Sequence, residues 1–324
     1  MAEFNYGGQA VMEGVMMRGS KAMAVAVRAP NGQIVVRSEP LNPKIYAGWV
    51  SKVPIVRGMT MLWDTLVLGT RTLMLSADIA AQGAAQGAKE PEPTPEGGGK
   101  KDSLFADPMA WGMMVLSLGL GVGLFFLLPA LLAKWLDPLI GSALLSNLVE
   151  SLIRLAMVLV YVWAVGLVPD IGRVYAYHGA EHKTVHAYES GEPLTIEAVQ
   201  AHTTAHTRCG TAFILIVVFV SVVVFSLLGR PPLLIRLASR ILFLPLIAGI
   251  AYEWLKFSAR HEATWWARIL IAPGLAMQKL TTREPEDAMV EVAIAALTRV
   301  LEEDGLQVPA GGPSPEARLP AVAA

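Results

Sequence analysis

Cysteine is almost absent from this chain, and charged residues are sparse. The single cysteine among 324 residues, Cys209, excludes an intramolecular disulfide and fits a reducing environment or a metal-ligand role. Only 16% of the residues are charged, against roughly 25% in ordinary soluble domains, and 54% are hydrophobic. The net charge of −1 gives no reason to expect a nucleic-acid partner. The composition predicts an integral membrane protein whose first partner is the lipid bilayer.

A basic segment followed by an apolar one is also missing from the first residues, so no cleaved signal peptide is expected. Residues 1–81 are predicted to be a cytoplasmic N-terminal region. It begins with a β-hairpin around Asn31-Gly32, a strong hairpin-turn signal. A helix follows over 53–81, with one charged residue every seven positions. We expect it to lie on the membrane or against the bundle with these charges facing water: Arg57, Asp64, Arg71 and Asp78.

The fold class predicted for the rest is a mainly α, polytopic four-span membrane bundle. A flexible linker at 82–103 leads into a membrane domain at 104–280, a cytoplasmic helix at 281–304 and a disordered tail at 305–324. The segment after the last span is expected to be an interfacial helix broken at Pro273. The predicted spans cover residues 109–133, 144–168, 212–228 and 233–255.

The distribution of basic residues predicts the orientation of these spans. Of the 26 lysines and arginines, 21 fall before the first span, between the second and third, or after the fourth. The positive-inside rule therefore places both termini and the loop at 170–211 in the cytoplasm of a multi-pass protein of the cell membrane. The charged residues within the spans are predicted near span ends, which argues against a transporter: Glu150, Arg154, Arg236 and Arg240.

Five of the six histidines lie between residues 178 and 206, in the polar loop between two predicted spans. A helix over 171–190 would place on one face His178, His182, His186 and Glu189, with Glu181 at its margin. A second helix starting near Thr195 would present His202 and His206 one turn apart, with Cys209 on the same side if the helix continues that far.

Imidazole, thiolate and carboxylate groups are ligands for Zn²⁺ and other first-row divalent metals. His178-x-x-Glu181-His182 also has the form of an inverted zincin motif, with Glu253 or Glu262 as a downstream ligand. Alternatively, the polar side chains only pack the cytoplasmic mouth of the bundle. Candidate metal ligands are His178, His182, His186, His202, His206 and Cys209; acid–base candidates are Glu181 and Glu189; Lys183 and Arg208 are candidates for holding an anionic substrate group.

The segment Gly7–Gly19 places four glycines beside Glu13 and Arg18. It matches neither a Walker loop nor a dinucleotide fingerprint. The glycines would either let Glu13 and Arg18 approach a substrate closely or permit tight turns before the hairpin.

At these motifs the chain resembles the YqhQ family, uncharacterised bacterial membrane proteins described as predicted metal-dependent enzymes. The residues that carry the resemblance lie in Gly7–Arg18, Tyr177–His186, His206–Gly210 and Thr281–Pro285. The resemblance implies metal dependence but no substrate. The expected function is a cytoplasm-facing, metal-dependent enzyme of hydrolase type acting on a membrane-proximal substrate. The alternative is a non-catalytic membrane scaffold or assembly factor with a structural His/Cys metal site.

Overall fold

A computed structural model describes residues 6–41, 53–85, 108–207, 209–229, 231–261 and 264–309. Most of the predicted linker and tail, together with Arg208 and Glu262, lie outside the described residues. The protein is mainly helical, with one small antiparallel sheet near its N-terminus.

The sheet has four strands, β1 to β4, which pair in chain order. They are β1 (Gly7–Val11), β2 (Gly14–Arg18), β3 (Ala22–Arg28) and β4 (Ile34–Pro40). The predicted hairpin is β3–β4, and Gly32 in its turn has a φ of 85°, which glycine adopts readily. The glycine-rich segment before it forms another hairpin, β1–β2, which the sequence analysis did not predict; Glu13 in its turn has a φ of 52°.

The described part of the chain forms eleven α-helices, α1 to α11. A π-helical turn, Gly123–Leu127, joins the second helix to the third. Their bounds are α1 (Val56–Ala85), α2 (Pro108–Val122), α3 (Leu128–Leu136), α4 (Ala143–Val165), α5 (Pro169–Glu189), α6 (Ile196–Gln200), α7 (Thr211–Leu227), α8 (Leu233–Leu242), α9 (Leu244–Arg260), α10 (Trp265–Thr281) and α11 (Asp287–Asp304).

The sheet, α5 and α11 share one hydrophobic core. Alternate residues of β2 and β3 point into it because successive side chains of a strand face opposite sides. They meet the apolar face of α11, which ends at Gly305 in a left-handed conformation. Asp304 ties the two together by accepting hydrogen bonds from the backbone amides of Ser20 and Lys21 and from the hydroxyl of Tyr6. Burial alone would raise the pKa of Asp304, but these bonds hold it below its usual value.

Two helical segments are long and apolar enough to cross a membrane: Val115–Leu139 and Ala143–Val165. A third span is possible if α8 and α9, bent by 45° at Phe243, count together, and α7 is apolar but only 17 residues long. The structure therefore agrees with an apolar helical membrane region with two or three candidate spans, and the segment predicted as a span over 233–255 is bent between α8 and α9.

The structure also corrects the predicted break at Pro273. Helix α10 continues through this proline. Next to it, Gly274 lies so close to α7 that an added Cβ would be 2.7 Å from the Cβ of Ala212. Packing against α7 thus offsets the cost of a proline in a helix interior.

We predicted that the charged residues of α1 face water, but two of the four contact other parts of the protein. Arg57 forms a two-pronged ion pair with Glu253 of α9, and Asp64 interacts electrostatically with Arg18 of β2. Burial raises the pKa of Asp64. Arg71 is exposed, as predicted, but Trp63 is 70% exposed, so part of the apolar surface of α1 faces outwards.

The predicted position of one span charge was wrong: Arg154 lies at the midpoint of α4 by residue count. The charged side chains find partners within the bundle, where Glu150 pairs with three arginines. All four residues are buried: Glu150, Arg154, Arg236 and Arg240.

Candidate metal centre

Most of the histidines meet where one face of α5 packs against the loop at 201–210. The predicted helix over 171–190 corresponds to α5 and carries His178, His182 and His186 on successive turns. The predicted second helix is wrong beyond Gln200, where α6 ends. The loop after α6 instead pairs with α10: Gln278 accepts a hydrogen bond from the amide of His206 at 2.8 Å and donates one to its carbonyl at 2.8 Å.

Backbone carbonyls orient two of the imidazoles. Nδ1 of His178 lies 2.9 Å from the carbonyl oxygen of Thr281, and Nδ1 of His182 bonds the carbonyl oxygen of Thr204. A carbonyl oxygen only accepts hydrogen bonds, so in the neutral rings Nδ1 carries the proton and Nε2 keeps its lone pair. Metal-bound histidines are held by their second nitrogen in this way.

Both histidines lie close to the sulfur of Cys209. Nε2 of His178 lies 3.3 Å from Sγ of Cys209, and one ligand atom from each of His178, His182 and Cys209 lies within 4.8 Å of the others. Ligand atoms of a tetrahedral zinc site are roughly 3.3–3.8 Å apart, given the Zn–N and Zn–S bond lengths. These three residues therefore fit a metal centre if their ligand atoms move slightly closer together. The fourth position of a tetrahedral metal would then have no protein ligand from this group.

Glu181 stands beside this group and is held from the other side by the sheet. Its Oε2 is 3.5 Å from Nε2 of His182, and its Oε1 accepts a 2.7 Å hydrogen bond from the amide of Gly8 in β1. Only glycine fits there, since a Cβ on Gly8 would lie 2.1 Å from the carbonyl oxygen of Met16. The contact of the Gly8 amide was not predicted from sequence, although the glycine-rich motif around Gly8 was a signal for it.

Glycine also permits the contact that supplies the carbonyl of Thr281. A Cβ on Gly179 would lie 2.1 Å from the carbonyl oxygen of Arg283, so the chain after α10 passes directly over α5. The amide of Arg283 donates a 3.0 Å hydrogen bond to the carbonyl of Tyr175. The absence of a side chain at Gly179 thus permits the packing that orients His178.

The three remaining histidines of the loop bond other groups. Nε2 of His186 lies 2.8 Å from the carbonyl oxygen of Ala205, and burial lowers the pKa of His186. Nε2 of His206 lies 3.4 Å from the carboxylate of Glu189, and Nε2 of His202 lies 3.1 Å from the carboxylate of Glu192. The rings are nevertheless close, with centroids of His186 and His206 4.7 Å apart. They form an outer layer around the three-residue group.

Lys183 and Arg208 were predicted to hold an anionic group. Lys183 is 4% exposed and already forms a 2.7 Å ion pair with Glu284 and a 3.0 Å hydrogen bond to the carbonyl of Gln200. These bonds join α5 to the last residue of α6 and to the chain before α11. Arg208 lies outside the described residues.

Three other predicted site residues have their contacts elsewhere. Glu13 forms a two-pronged ion pair with Arg173, at 2.5 and 2.6 Å, and this pair lowers the pKa of Glu13. Arg18 faces α1, where burial lowers its pKa. Glu253 pairs with Arg57, so it is not the downstream ligand of the histidines in this structure.

Comparison with known proteins gives a family but no activity. Residues 53–303 match the family described as "Protein of unknown function (DUF1385)". The chain is 34% identical, over 304 residues and 93% of either chain, to "Uncharacterized protein YqhQ" of Bacillus subtilis (strain 168). No solved structure matches it significantly. The chain therefore belongs to the DUF1385 family, which confirms the resemblance to YqhQ proteins.

Proposed function

We propose that this protein is a metal-dependent membrane enzyme of hydrolase type, with His178, His182 and Cys209 as metal ligands. One observation carries the proposal: both imidazoles donate Nδ1–H to backbone carbonyls, so that their Nε2 lone pairs lie beside one thiol and one buried carboxylate. Three protein ligands and an open position are typical of catalytic zinc sites, whereas structural sites use four.

A bound divalent metal would act as a Lewis acid towards a carbonyl or phosphoryl group and towards water. Glu181 is the proposed general base. Its two oxygens have different tasks, because Oε1 is fixed by the amide of Gly8 while Oε2 faces the ligand group. The sheet thus orients the carboxylate before substrate binds. Glu189, on the exposed end of α5 beside His206, is a second acid–base group further from the ligands.

The substrate is proposed to be membrane-proximal, because the site is close to a candidate span. Helix α5 starts four residues after α4 ends, and His178 lies about 14 Å along it, at 1.5 Å per residue. The hydroxyl of Tyr175 donates a 3.0 Å hydrogen bond to the carbonyl of Val162 in α4. These contacts connect the candidate site rigidly to the membrane helix.

Replacement of Glu181 and His182 separates an enzyme from a scaffold. We expect purified wild-type protein to carry about one first-row metal per chain, and H182A to lose it. E181Q should keep the metal and the fold but fail to complement a deletion strain, because an amide cannot accept the proton. An E181Q protein that complements fully would refute the catalytic role and favour a scaffold with a structural metal site. A folded wild type that takes up no Zn²⁺ would refute the metal site.

We also propose that the membrane region crosses the bilayer four times, through α2–α3, α4, α7 and the bent pair α8–α9, with both termini cytoplasmic. The distribution of lysine and arginine supports this orientation. Reporters placed after Gly191 and Pro309 should be cytoplasmic, and one near Gly141 external. A cytoplasmic signal at Gly141 would contradict the four-span topology.

A further inference from the structure

The membrane region contains a cluster of five charged residues, four of them buried, that the proposed enzyme mechanism does not use. Glu150 of α4 is its centre. Oε1 accepts hydrogen bonds from Arg154 and Arg240, both at 2.9 Å, and Oε2 accepts bonds of 2.7 and 2.8 Å from Arg236 and Arg240. Arg236 also contacts Asp137, at 3.2 Å, in the connection between α3 and α4.

The charges in this cluster do not cancel. Among the described residues, three guanidinium groups meet two carboxylates, and arginine remains protonated in proteins. The only other acidic residue in α2–α4 and α7–α9 is Glu253, and it pairs with Arg57. Within the described part of the chain, the cluster therefore carries one positive charge in excess. Such a charge is strongly destabilising among membrane helices unless a counter-charge is near.

A small cavity adjoins the two arginines nearest the middle of the bundle. It has a volume of about 40 Å³ and is lined by Arg154, Arg240, Ser221 of α7 and apolar side chains. This is room for a monatomic ion with a water molecule, since one water needs about 10–15 Å³ by this measure.

Arg154 has donor capacity left at this cavity. Its Nε donates to the carbonyl of Phe125 in the π-helical turn at 2.9 Å, and its Nη2 donates to Glu150. No bond from its Nη1 is found within the described part of the chain. A buried, charged donor beside a cavity is a suitable group for an anion.

We propose that this cavity binds a small monovalent anion of halide size, which balances the excess charge of the Glu150 cluster. Larger or divalent anions are disfavoured by the volume and by the single excess charge. The site lies in the membrane region and is distinct from the proposed metal centre, so either proposal can fail without the other.

The test compares anions at equal ionic strength and pH on detergent-purified full-length protein. Chloride and bromide should raise the thermal unfolding midpoint saturably over gluconate, which is too large for the cavity. The rise should be roughly 3 °C at ten times the dissociation constant. R154Q leaves two arginines for two carboxylates, so it should lose the chloride dependence. K134Q, which removes an exposed positive charge of α3 outside the cluster, should keep it.

A second measurement does not depend on the stability of a variant. Wild-type crystals grown in bromide should show an anomalous peak within reach of Arg154 and Arg240. Equal midpoints in chloride and gluconate, or a bromide-soaked cavity that contains only water, would overturn the proposal. An R154Q protein that folds and keeps the full chloride dependence would overturn it as well.

Discussion

Two polar clusters lie near opposite ends of α4, and they differ in the chemistry of their groups. Near its N-terminal end, Glu150 accepts hydrogen bonds from three arginines, and each carboxylate oxygen has at least two donors. Near its C-terminal end, α4 contacts α5, where two imidazole rings and one thiol lie together beside the carboxylate of Glu181.

The chemistry of these groups indicates what each cluster is suited to do. Guanidinium groups keep their charge, so the arginine cluster is suited to fixing the relative position of α4 and α8. Imidazole and thiol groups exchange protons and bind metals near neutral pH. We therefore assign helix packing to the first cluster and chemistry to the second, and the following variants test that division.

The largest effect is expected for E150Q. It leaves three buried arginines with one carboxylate less, and breaking a buried ion network in this way costs about 3–5 kcal/mol. The free energy of unfolding in detergent measures this. E253Q is the matched control: the ion pair it breaks is more exposed, so we expect a loss of about 1 kcal/mol or less. Equal losses in the two variants would contradict a special role for the arginine cluster.

C209S should affect metal binding far more than folding. The hydroxyl is a poor ligand for zinc, so we expect Zn²⁺ affinity, measured by calorimetry, to fall more than roughly 100-fold, beyond the 10–100-fold typical of groups behind the ligands. H202A should bind nearly as the wild type, because His202 contacts Glu192 and not the ligand group. A larger loss of Zn²⁺ affinity in H202A than in C209S would place the metal in the outer layer of histidines.

G179A tests whether packing behind the site orients His178. The added Cβ would displace the chain at Arg283 and with it the carbonyl of Thr281. We expect metal affinity to fall roughly 10-fold and stability by about 1–3 kcal/mol. G210A is the control, since a Cβ on Gly210 meets nothing within 4 Å. Unchanged affinity in G179A would show that the carbonyl of Thr281 is not needed.

The smallest effect is expected for R173Q, at the exposed pair that holds the β1–β2 turn on α5. The pair lowers the pKa of Glu13, mainly through hydrogen bonds from Arg173, so its contribution exists above the ordinary pKa of glutamate and disappears as pH falls through the lowered value. At neutral pH we expect about 0.5 kcal/mol or less, because both side chains are partly in solvent. The difference in thermal midpoint between R173Q and the wild type should shrink as the pH falls from about 5 to about 3. A difference that grows over this range would contradict a stabilising contribution of the ionised pair.

Local features of the chain were predictable from sequence. The β3–β4 turn follows from Asn31-Gly32, and the stripe of histidines on α5 follows from helical spacing alone. Contacts between distant segments were not predictable. The Gly8 amide reaches Glu181 across 173 positions of sequence, and the carbonyl of Thr281 reaches His178 across 103. Backbone groups of this kind leave no mark in side-chain patterns.

The arginine cluster could not be predicted for a related reason. The position of these charges along a span is the only sequence evidence on their surroundings, and it gives no information on a partner in another helix. Arg236 and Arg240 lie on successive turns of α8, so both reach Glu150 once α8 packs on α4. Similarly, the loop at 201–210 depends on Gln278, whose two hydrogen bonds to His206 replace those that a helix would have made.

X-ray absorption at the zinc edge of the metal-loaded protein is the sharpest test of the proposed metal centre. The proposed site predicts one sulfur at about 2.3 Å and two imidazole nitrogens at about 2.0–2.1 Å per metal. In C209S the sulfur signal should disappear while the two nitrogens remain. A wild-type spectrum without sulfur, or with nitrogen and oxygen ligands that do not change in C209S and H182A, would contradict a metal centre at His178, His182 and Cys209.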